Sequence, residues 1–305
     1  MSTEAIGKLG TKDGLKYIYL DILPMDLWAG EEIDALWVLS TGRCGTVTLS
    51  QLLEQSPDMV CFHEPMPRLM THFNDAYHNP NDEFLEKLVH ASRIDLMSSI
   101  KGLGYMYGEA SNRTTPYAPY LKRLFPKSKF IWLMRDMDGF VPSAYHWRWY
   151  DLQADKYRDT RLIPPPEAGT RRQVLAWYWC YVNEFISKFV AGIDRKDWMF
   201  LDFDAIQRWD MDTLNGVFDW VGIKRPELDK AAEILEGELN HGRRHAIEKD
   251  WGIYDRAAQD IYASVRDEKQ RVRELHEPGH DVHADQAFDR SDADHDIQPV
   301  QVEGA

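Results

Sequence analysis

Short apolar runs alternate with helical patterns along most of the chain. Four runs predict buried β-strands, at residues 35–40, 58–63, 129–134 and 198–203. A fifth run, at 102–109, is weaker because it contains three glycines. Helical patterns occupy residues 46–55, 116–125 and 171–190. This alternation predicts an α/β fold, a three-layer sandwich with a central, mainly parallel sheet between helices.

Two stretches depart from this alternation. Residues 150–170 are polar and end in three consecutive prolines, which predicts an excursion outside the sheet. That excursion is either a plain surface loop or a lid over a bound substrate. Residues 277–305 are rich in Asp and His and poor in apolar side chains, which is typical of a disordered tail. We therefore expect a single α/β domain over 1–276, followed by an acidic tail over 277–305.

Charge and cysteine content narrow the class of protein. The chain has 36 basic and 50 acidic residues, and its net charge of −14 argues against binding to nucleic acid or to an anionic membrane. Any anion site must therefore be local. Three scattered cysteines do not form a disulfide framework, and the first residues lack an apolar signal core, so we expect a cytoplasmic protein.

The first strand is followed by a small-residue loop that runs into a helix. Unsatisfied backbone N–H groups at a helix start can bind a phosphate that small residues allow to approach closely, and an arginine adds a full positive charge. A tight packing turn is the alternative, and the Walker sequence of the nucleotide hydrolases is absent. The pattern predicts a P-loop-like phosphate site, with these candidates: Thr41, Gly42, Arg43, Cys44, Gly45, Thr46 and Thr48.

A second anion-binding element follows the strand at 129–134. Arg135 comes directly after this strand, and Ser143 lies eight residues further on in the next helix. Ligands of open α/β sheets bind at the carboxyl ends of the strands, where a guanidinium can hold a phosphate with paired donors. Alternatively, Arg135 forms a salt bridge with Asp136 or Asp138.

With these two elements, the chain resembles the sulfotransferases that use 3′-phosphoadenosine 5′-phosphosulfate (PAPS), over roughly residues 33–225. In that family the first loop holds the 5′-phosphosulfate, and an Arg-Asp-Pro…Ser element holds the 3′-phosphate. The resemblance implies PAPS as the donor and no metal. The chain departs from the family pattern in having Arg43 where cytosolic members usually carry lysine, and Met137 in place of proline. The family's C-terminal donor motif is not clear, and Arg243 and Arg244 are candidates to replace it.

A proton acceptor is expected at the end of the second strand. His63 and Glu64 come directly after this strand, at the same sheet edge as the loop, and some sulfotransferases carry a catalytic carboxylate or histidine here. Glu64 is slightly favoured. The alternatives are a histidine bonded to backbone and a carboxylate in a salt bridge. Glu109 is another candidate base, with Ala110 where several family members have lysine.

We thus expect a sulfotransferase that moves a sulfuryl group from PAPS to a hydroxyl or amine of a small-molecule acceptor by in-line transfer. Arg43 would neutralise the charge that develops in the transition state, and Glu64 or His63 would activate the acceptor. The alternatives are a nucleotide-dependent kinase and a non-catalytic nucleotide-binding protein. A homodimer is a further expectation, and acceptor identity stays open.

Overall fold

Five parallel strands form the centre of the fold in the computed structural model, which describes residues 33–155, 161–208, 210–227 and 247–274. The strands lie in the order β2-β3-β1-β4-β5. Their bounds are β1 Ala35–Leu39, β2 Met59–Phe62, β3 Met106–Ala110, β4 Lys129–Met134 and β5 Trp198–Asp202. The α/β fold with a parallel sheet, predicted from the alternating pattern, is confirmed.

Helices cover both faces of this sheet. Their bounds are α1 Thr46–Glu54, α2 Phe73–His78, α3 Glu83–Gly102, α4 Ala118–Leu124, α5 Met137–His146, α6 Arg171–Ala191, α7 Phe203–Gln207, α8 Met211–Val221 and α9 Tyr254–Glu274. Successive side chains of a strand point to opposite faces. Trp37 of β1 accordingly belongs to a buried cluster with α6 and α9, whereas Val38 belongs to a second cluster with α1 and α8.

The predicted strands and helices match the observed ones closely, with one shift. The weak strand predicted at 102–109 is β3, but it begins at Met106 because α3 extends to Gly102 and a turn follows. Gly104 has a φ of +83° in this turn. Of the three glycines in the predicted run, Gly102 ends α3, Gly104 lies in the turn and Gly108 lies within β3.

Several predicted features fall partly or wholly outside the described residues. Residues 243 and 244 and the acidic segment 277–305 lie outside them. The excursion at 150–170 is described over 150–155 and 161–170, and neither part contains a helix or strand. The Tyr150 hydroxyl donates to the Leu162 carbonyl at 3.0 Å, so its two described parts are tied together. In the described ranges, no helix combines the length and apolar character needed to span a membrane.

Candidate active site at the carboxyl edge of the sheet

The two predicted anion-binding elements meet because their strands are neighbours. β1 pairs with β4, with Leu39 opposite Trp132, so the residues that follow both strands emerge side by side. After β1 the chain goes on to β2 on one side of the sheet, and after β4 it goes on to β5 on the other. Such a reversal leaves a crevice at the carboxyl ends of the strands, where ligands of open α/β sheets bind.

The loop between β1 and α1 has an unusual backbone. Gly42, Arg43 and Gly45 have φ values of +78°, +56° and +83°. Gly45 is the N-cap of α1 and makes no side-chain capping bond, and the first turn of α1 contains no acidic residue. The first N–H groups of a helix have no partner within the helix, so this arrangement suits an anion.

The hydroxyl and thiol groups of the loop differ in their surroundings. The buried Thr41 hydroxyl donates to the Gly42 carbonyl at 3.0 Å, which braces the turn. Burial raises the pKa of the Cys44 thiol to about 11 and outweighs a hydrogen bond with Ser40, so Cys44 would contribute its backbone rather than a thiolate. Thr46 is buried and Thr48 is half-buried in the first turn of α1. The Thr46 hydroxyl lies 3.2 Å from His63 Nε2.

Arg43 connects the loop to the second element. Its Nε donates to the Ser143 hydroxyl at 3.3 Å, and its guanidinium lies 4.5 Å from the centre of the Trp147 ring. Burial lowers the pKa of Arg43, and the positive charge of Arg135 lowers it further. Among the described residues, no carboxylate forms an ion pair with Arg43, so two neighbouring cations share a partly buried site.

Arg135 projects from the end of β4 toward the same loop. Its Nη1 donates to the Arg43 carbonyl at 3.0 Å, and its guanidinium lies 4.7 Å from the centre of the Phe203 ring. The two neighbouring aspartates also hydrogen-bond to groups elsewhere. Asp136 caps α5 through the backbone of Gly139, and Asp138 accepts from Trp251 Nε1 at 2.9 Å. The structure therefore brings together the arginines of the two predicted elements, with Ser143 beside them.

The two favoured base candidates lie close to the loop in different surroundings. His63 is exposed, and its ring contacts Thr46 of α1. Glu64 is half-buried with a φ of +49°, and its carboxylate accepts from Arg113 Nε at 3.2 Å. Arg68 lies 3.9 Å from the same oxygen. The salt-bridge alternative for Glu64 therefore has a counterpart here, with Arg68 and Arg113. The exposed His63 is not the buried histidine that its alternative described.

Glu109 lies in a different environment from these two residues. It is 1% exposed and accepts from Arg93 Nε at 2.7 Å and Arg93 Nη2 at 3.0 Å. The Tyr107 hydroxyl also donates to it at 2.7 Å. Burial alone would lower the pKa of Arg93, but the Glu109 charge raises it above its ordinary value. This geometry favours a structural ion pair over the role of catalytic base. Within the described ranges, no group of His, Cys, Asp and Glu could hold a metal ion.

Three aromatic residues at the site were not among the predicted site residues. Trp147 is 61% exposed and stacks on Arg43, although tryptophans at helical spacing are usually buried. Phe203 packs against Gly45 and Arg135. The Tyr178 hydroxyl donates to the Thr41 carbonyl at 3.4 Å. Of the three, Phe203 could have been predicted from its position in the sequence, because it directly follows β5 at the same sheet edge.

Comparison with known proteins agrees with the α/β fold. The sulfotransferase domain of the Synechococcus PCC 7002 olefin synthase has a TM-score of 0.50 and 12% identity, over 75% of this chain and 94% of that domain. Sulfotransferase STF1 of Mycobacterium tuberculosis H37Rv has a TM-score of 0.50 and 10% identity, over 82% of this chain and 80% of its own. At these identities both show the fold alone. No curated protein matches the chain. The model of the Sulfotransferase family matches residues 36–227, well over half of the 305 residues, and the chain therefore belongs to the sulfotransferase family.

Proposed function

We propose that this protein transfers a sulfuryl group from PAPS to a hydroxyl or amine of a small-molecule acceptor. The observation that carries the proposal is the convergence of Arg43, Arg135 and Ser143 beside the left-handed loop. Like charges repel, so two adjacent guanidinium groups in a partly buried site favour a multiply charged anion between them. A bisphosphate nucleotide supplies such charges at two positions.

The two anion-binding elements would bind different ends of the donor. Gly42, Gly45 and Thr46 would hold the 5′-phosphosulfate through backbone N–H groups and a hydroxyl, with Thr48 and the Cys44 backbone as further contacts. Arg135 and Ser143 would hold the 3′-phosphate. The kinase alternative is not favoured by membership of the sulfotransferase family. Transfer by a metal-free, in-line route remains part of the proposal.

The residues of the site have separate tasks during transfer. The acceptor atom forms a bond to sulfur while the bond between sulfur and the 5′-phosphate oxygen breaks, and the nucleotide leaves as a bisphosphate. Arg43 and the loop N–H groups would neutralise the charge that grows on the leaving oxygen. The acceptor proton would pass to Glu64, or alternatively to His63. We favour Glu64 because the His63 ring is bound to Thr46, where it can orient a donor-binding hydroxyl.

Calorimetric titration tests donor recognition. We expect the wild-type protein to bind 3′-phosphoadenosine 5′-phosphate without metal, and to bind 5′-AMP at least about tenfold more weakly because the 3′-phosphate contacts are lost. Arg135→Ala should remove most of this preference. Arg208→Ala is a matched control, since Arg208 is an exposed arginine 3.8 Å from Asp204. Equal binding of both nucleotides by the wild type, or binding of ATP only with magnesium, would contradict the proposal.

A further inference from the structure

The Trp149 ring packs against the loop between β1 and α1, which is proposed to hold the 5′-phosphosulfate. A Cβ added to Gly42 would lie 3.0 Å from Cη2, the outermost atom of that ring, and 3.1 Å from Cγ of Asn112. Glycine adopts positive and negative φ values about equally well, so the φ of +78° at Gly42 depends on what packs against it. Contact with Trp149 therefore restricts the backbone of this loop.

The backbone on both sides of Trp149 is strained. Arg148 and Tyr150 have φ values of +59° and +58°. Among the described residues, the other non-glycine residues with a positive φ are Arg43 and Glu64, which belong to the candidate active site. A left-handed conformation is unfavourable for a residue with a Cβ, and it persists where surrounding contacts enforce it, often at functional sites. The strain thus indicates that the position of Trp149 matters to the site.

Contacts from two neighbouring segments hold this strained turn. The Arg171 side chain, at the start of α6, donates from Nε to the Trp149 carbonyl and from Nη2 to the Tyr145 carbonyl, each at 2.7 Å. The Tyr150 backbone N–H donates to Asp155 Oδ2 at 2.8 Å. The turn is therefore attached both to α6 and to the first described part of the excursion at 150–170.

The second described part of the excursion supplies an arginine that stacks on the same ring. The Arg161 guanidinium lies 4.0 Å from the centre of the Trp149 ring. Its Nε donates to Asp155 Oδ2 at 2.7 Å, and its Nη2 donates to Asp155 Oδ1 at 3.3 Å. Both side chains are largely buried, at 10% and 2% exposed. A guanidinium over an indole is a favourable pair, and more so when water is excluded. Arg161 and Asp155 therefore fix the ring that contacts Gly42.

We propose that Trp149 is a positioning residue for the donor. It holds Gly42 in its left-handed conformation before the donor binds, and Arg161 and Asp155 hold Trp149 in turn. The inference rests on the proposed sulfuryl transfer and adds what keeps the donor loop in shape. Preorganising a loop strengthens binding because its ordering does not have to occur during association. The contribution of Trp149 should therefore appear in the binding of the 5′ end of the nucleotide, whereas Arg135 binds the 3′ end.

Calorimetric titration with two nucleotides isolates the 5′ end. The bisphosphate 3′-phosphoadenosine 5′-phosphate carries both phosphates, and 3′-AMP lacks the 5′-phosphate. The wild-type protein should bind the bisphosphate at least about tenfold more tightly than 3′-AMP. Trp149→Phe keeps a ring beside Arg161 but is too short to reach Gly42. This variant should lose roughly fivefold or more of the preference for the bisphosphate and keep its affinity for 3′-AMP, because the freed glycine must be ordered on binding.

Trp198→Phe is the matched control. Trp198 is the first residue of β5, at the opposite edge of the sheet, and the Arg195 guanidinium lies 4.3 Å from the centre of its ring. Arg195 also pairs with Glu268, so the arrangement is similar to that around Trp149. Both substitutions remove buried ring atoms and should lower the unfolding midpoint. In Trp198→Phe, the ratio of the two nucleotide affinities should stay at its wild-type value.

Arg161→Lys tests the same contact without altering the tryptophan. Lysine keeps a positive charge for Asp155 but loses the flat stacking of the guanidinium on the ring. The preference for the bisphosphate should fall in the same direction as in Trp149→Phe. Arg195→Lys is the corresponding control at Trp198 and should leave the preference unchanged.

Two results would overturn the inference. They are an unchanged affinity ratio in a folded Trp149→Phe protein, and an equal loss of affinity for both nucleotides, which would mean a general loosening of the domain. If Trp149→Phe does not fold, an unchanged ratio in Arg161→Lys overturns it instead. A wild-type protein that does not bind the bisphosphate, or binds it no more tightly than 3′-AMP, would contradict the proposed function itself. The variants and the wild type therefore test the two proposals separately.

Discussion

Arginine placement is the residue-scale feature that most separates this site from an ordinary packing turn. Arg43 and Arg135 come from the ends of adjacent strands, and the charge of Arg135 adds to burial in lowering the pKa of Arg43. Arginine side chains carry a positive charge at neutral pH. The repulsion between them is relieved when an anion binds, so donor binding and stability should be coupled.

Glu109 provides a residue-scale prediction that separates a structural carboxylate from a catalytic one. Removing one partner of a buried ion pair leaves an uncompensated charge, so Glu109→Gln should lower the free energy of unfolding by about 3 kcal/mol or more. The reason is the fully buried Arg93, which keeps its charge and loses its counterion. Denaturant unfolding followed by fluorescence measures the change.

Glu64→Gln is the matched comparison for that experiment. Glu64 is partly exposed, and its ion pair with Arg113 is a single contact of 3.2 Å. Its loss should therefore lower the free energy of unfolding by about 1 kcal/mol or less. Because Glu64 is the proposed base, the kcat of the Glu64→Gln variant should be roughly a hundredfold below that of the wild type. A Glu109→Gln protein with wild-type stability and a comparable loss of kcat would instead make Glu109 the base.

At the scale of elements, the loop between β1 and α1 allows a further prediction. Gly45 has a φ of +83°, and a Cβ there would lie 2.9 Å from the Phe203 ring, which itself contacts Arg135. Gly45→Ala should therefore strain the loop and displace that ring. We expect bisphosphate affinity to fall by about tenfold or more, because the displaced loop N–H groups no longer face the phosphate.

Gly104→Ala is a closely matched control for the Gly45→Ala variant. Gly104 has the same φ of +83°, but nothing lies within 4 Å of the position of an added Cβ. It belongs to the turn between α3 and β3, before the amino end of the strand, so the variant should lose stability and keep its bisphosphate affinity. Wild-type affinity in Gly45→Ala would argue that the loop does not cradle a phosphate.

The elements that could be predicted from sequence are those with a strong local signal. Continuous apolar runs identified β1, β2, β4 and β5, and the small-residue loop after β1 predicts the phosphate site. The helices α3 and α9 were not predicted, because charged residues interrupt their apolar positions and tertiary packing decides their burial. The stacking of Trp147 on Arg43 depends on a contact between distant parts of the chain, for which one sequence holds no signal.

Across the whole molecule, a local cationic site sits within a strongly acidic chain. The net charge is −14, and residues 277–305 contribute eight acidic side chains and one arginine, or seven of those negative charges. Such a field repels an anionic nucleotide during its approach, and salt screens that repulsion.

Removing residues 277–305 should therefore speed association with the bisphosphate at low salt. Halving the net charge lowers the long-range repulsion, and the Debye length of about 30 Å at 0.01 M salt lets that repulsion act over molecular distances. We expect the association rate constant of the shortened chain to exceed that of the full chain by about twofold or more at 0.01 M salt, and the two to converge near 1 M. Stopped-flow fluorescence measures both rates.

If 1–276 is the folded domain, the unfolding midpoint of the shortened chain should equal that of the full chain. A lower midpoint would place part of the domain beyond 276. A rate ratio that is independent of salt would instead show a local contact of the segment with the site.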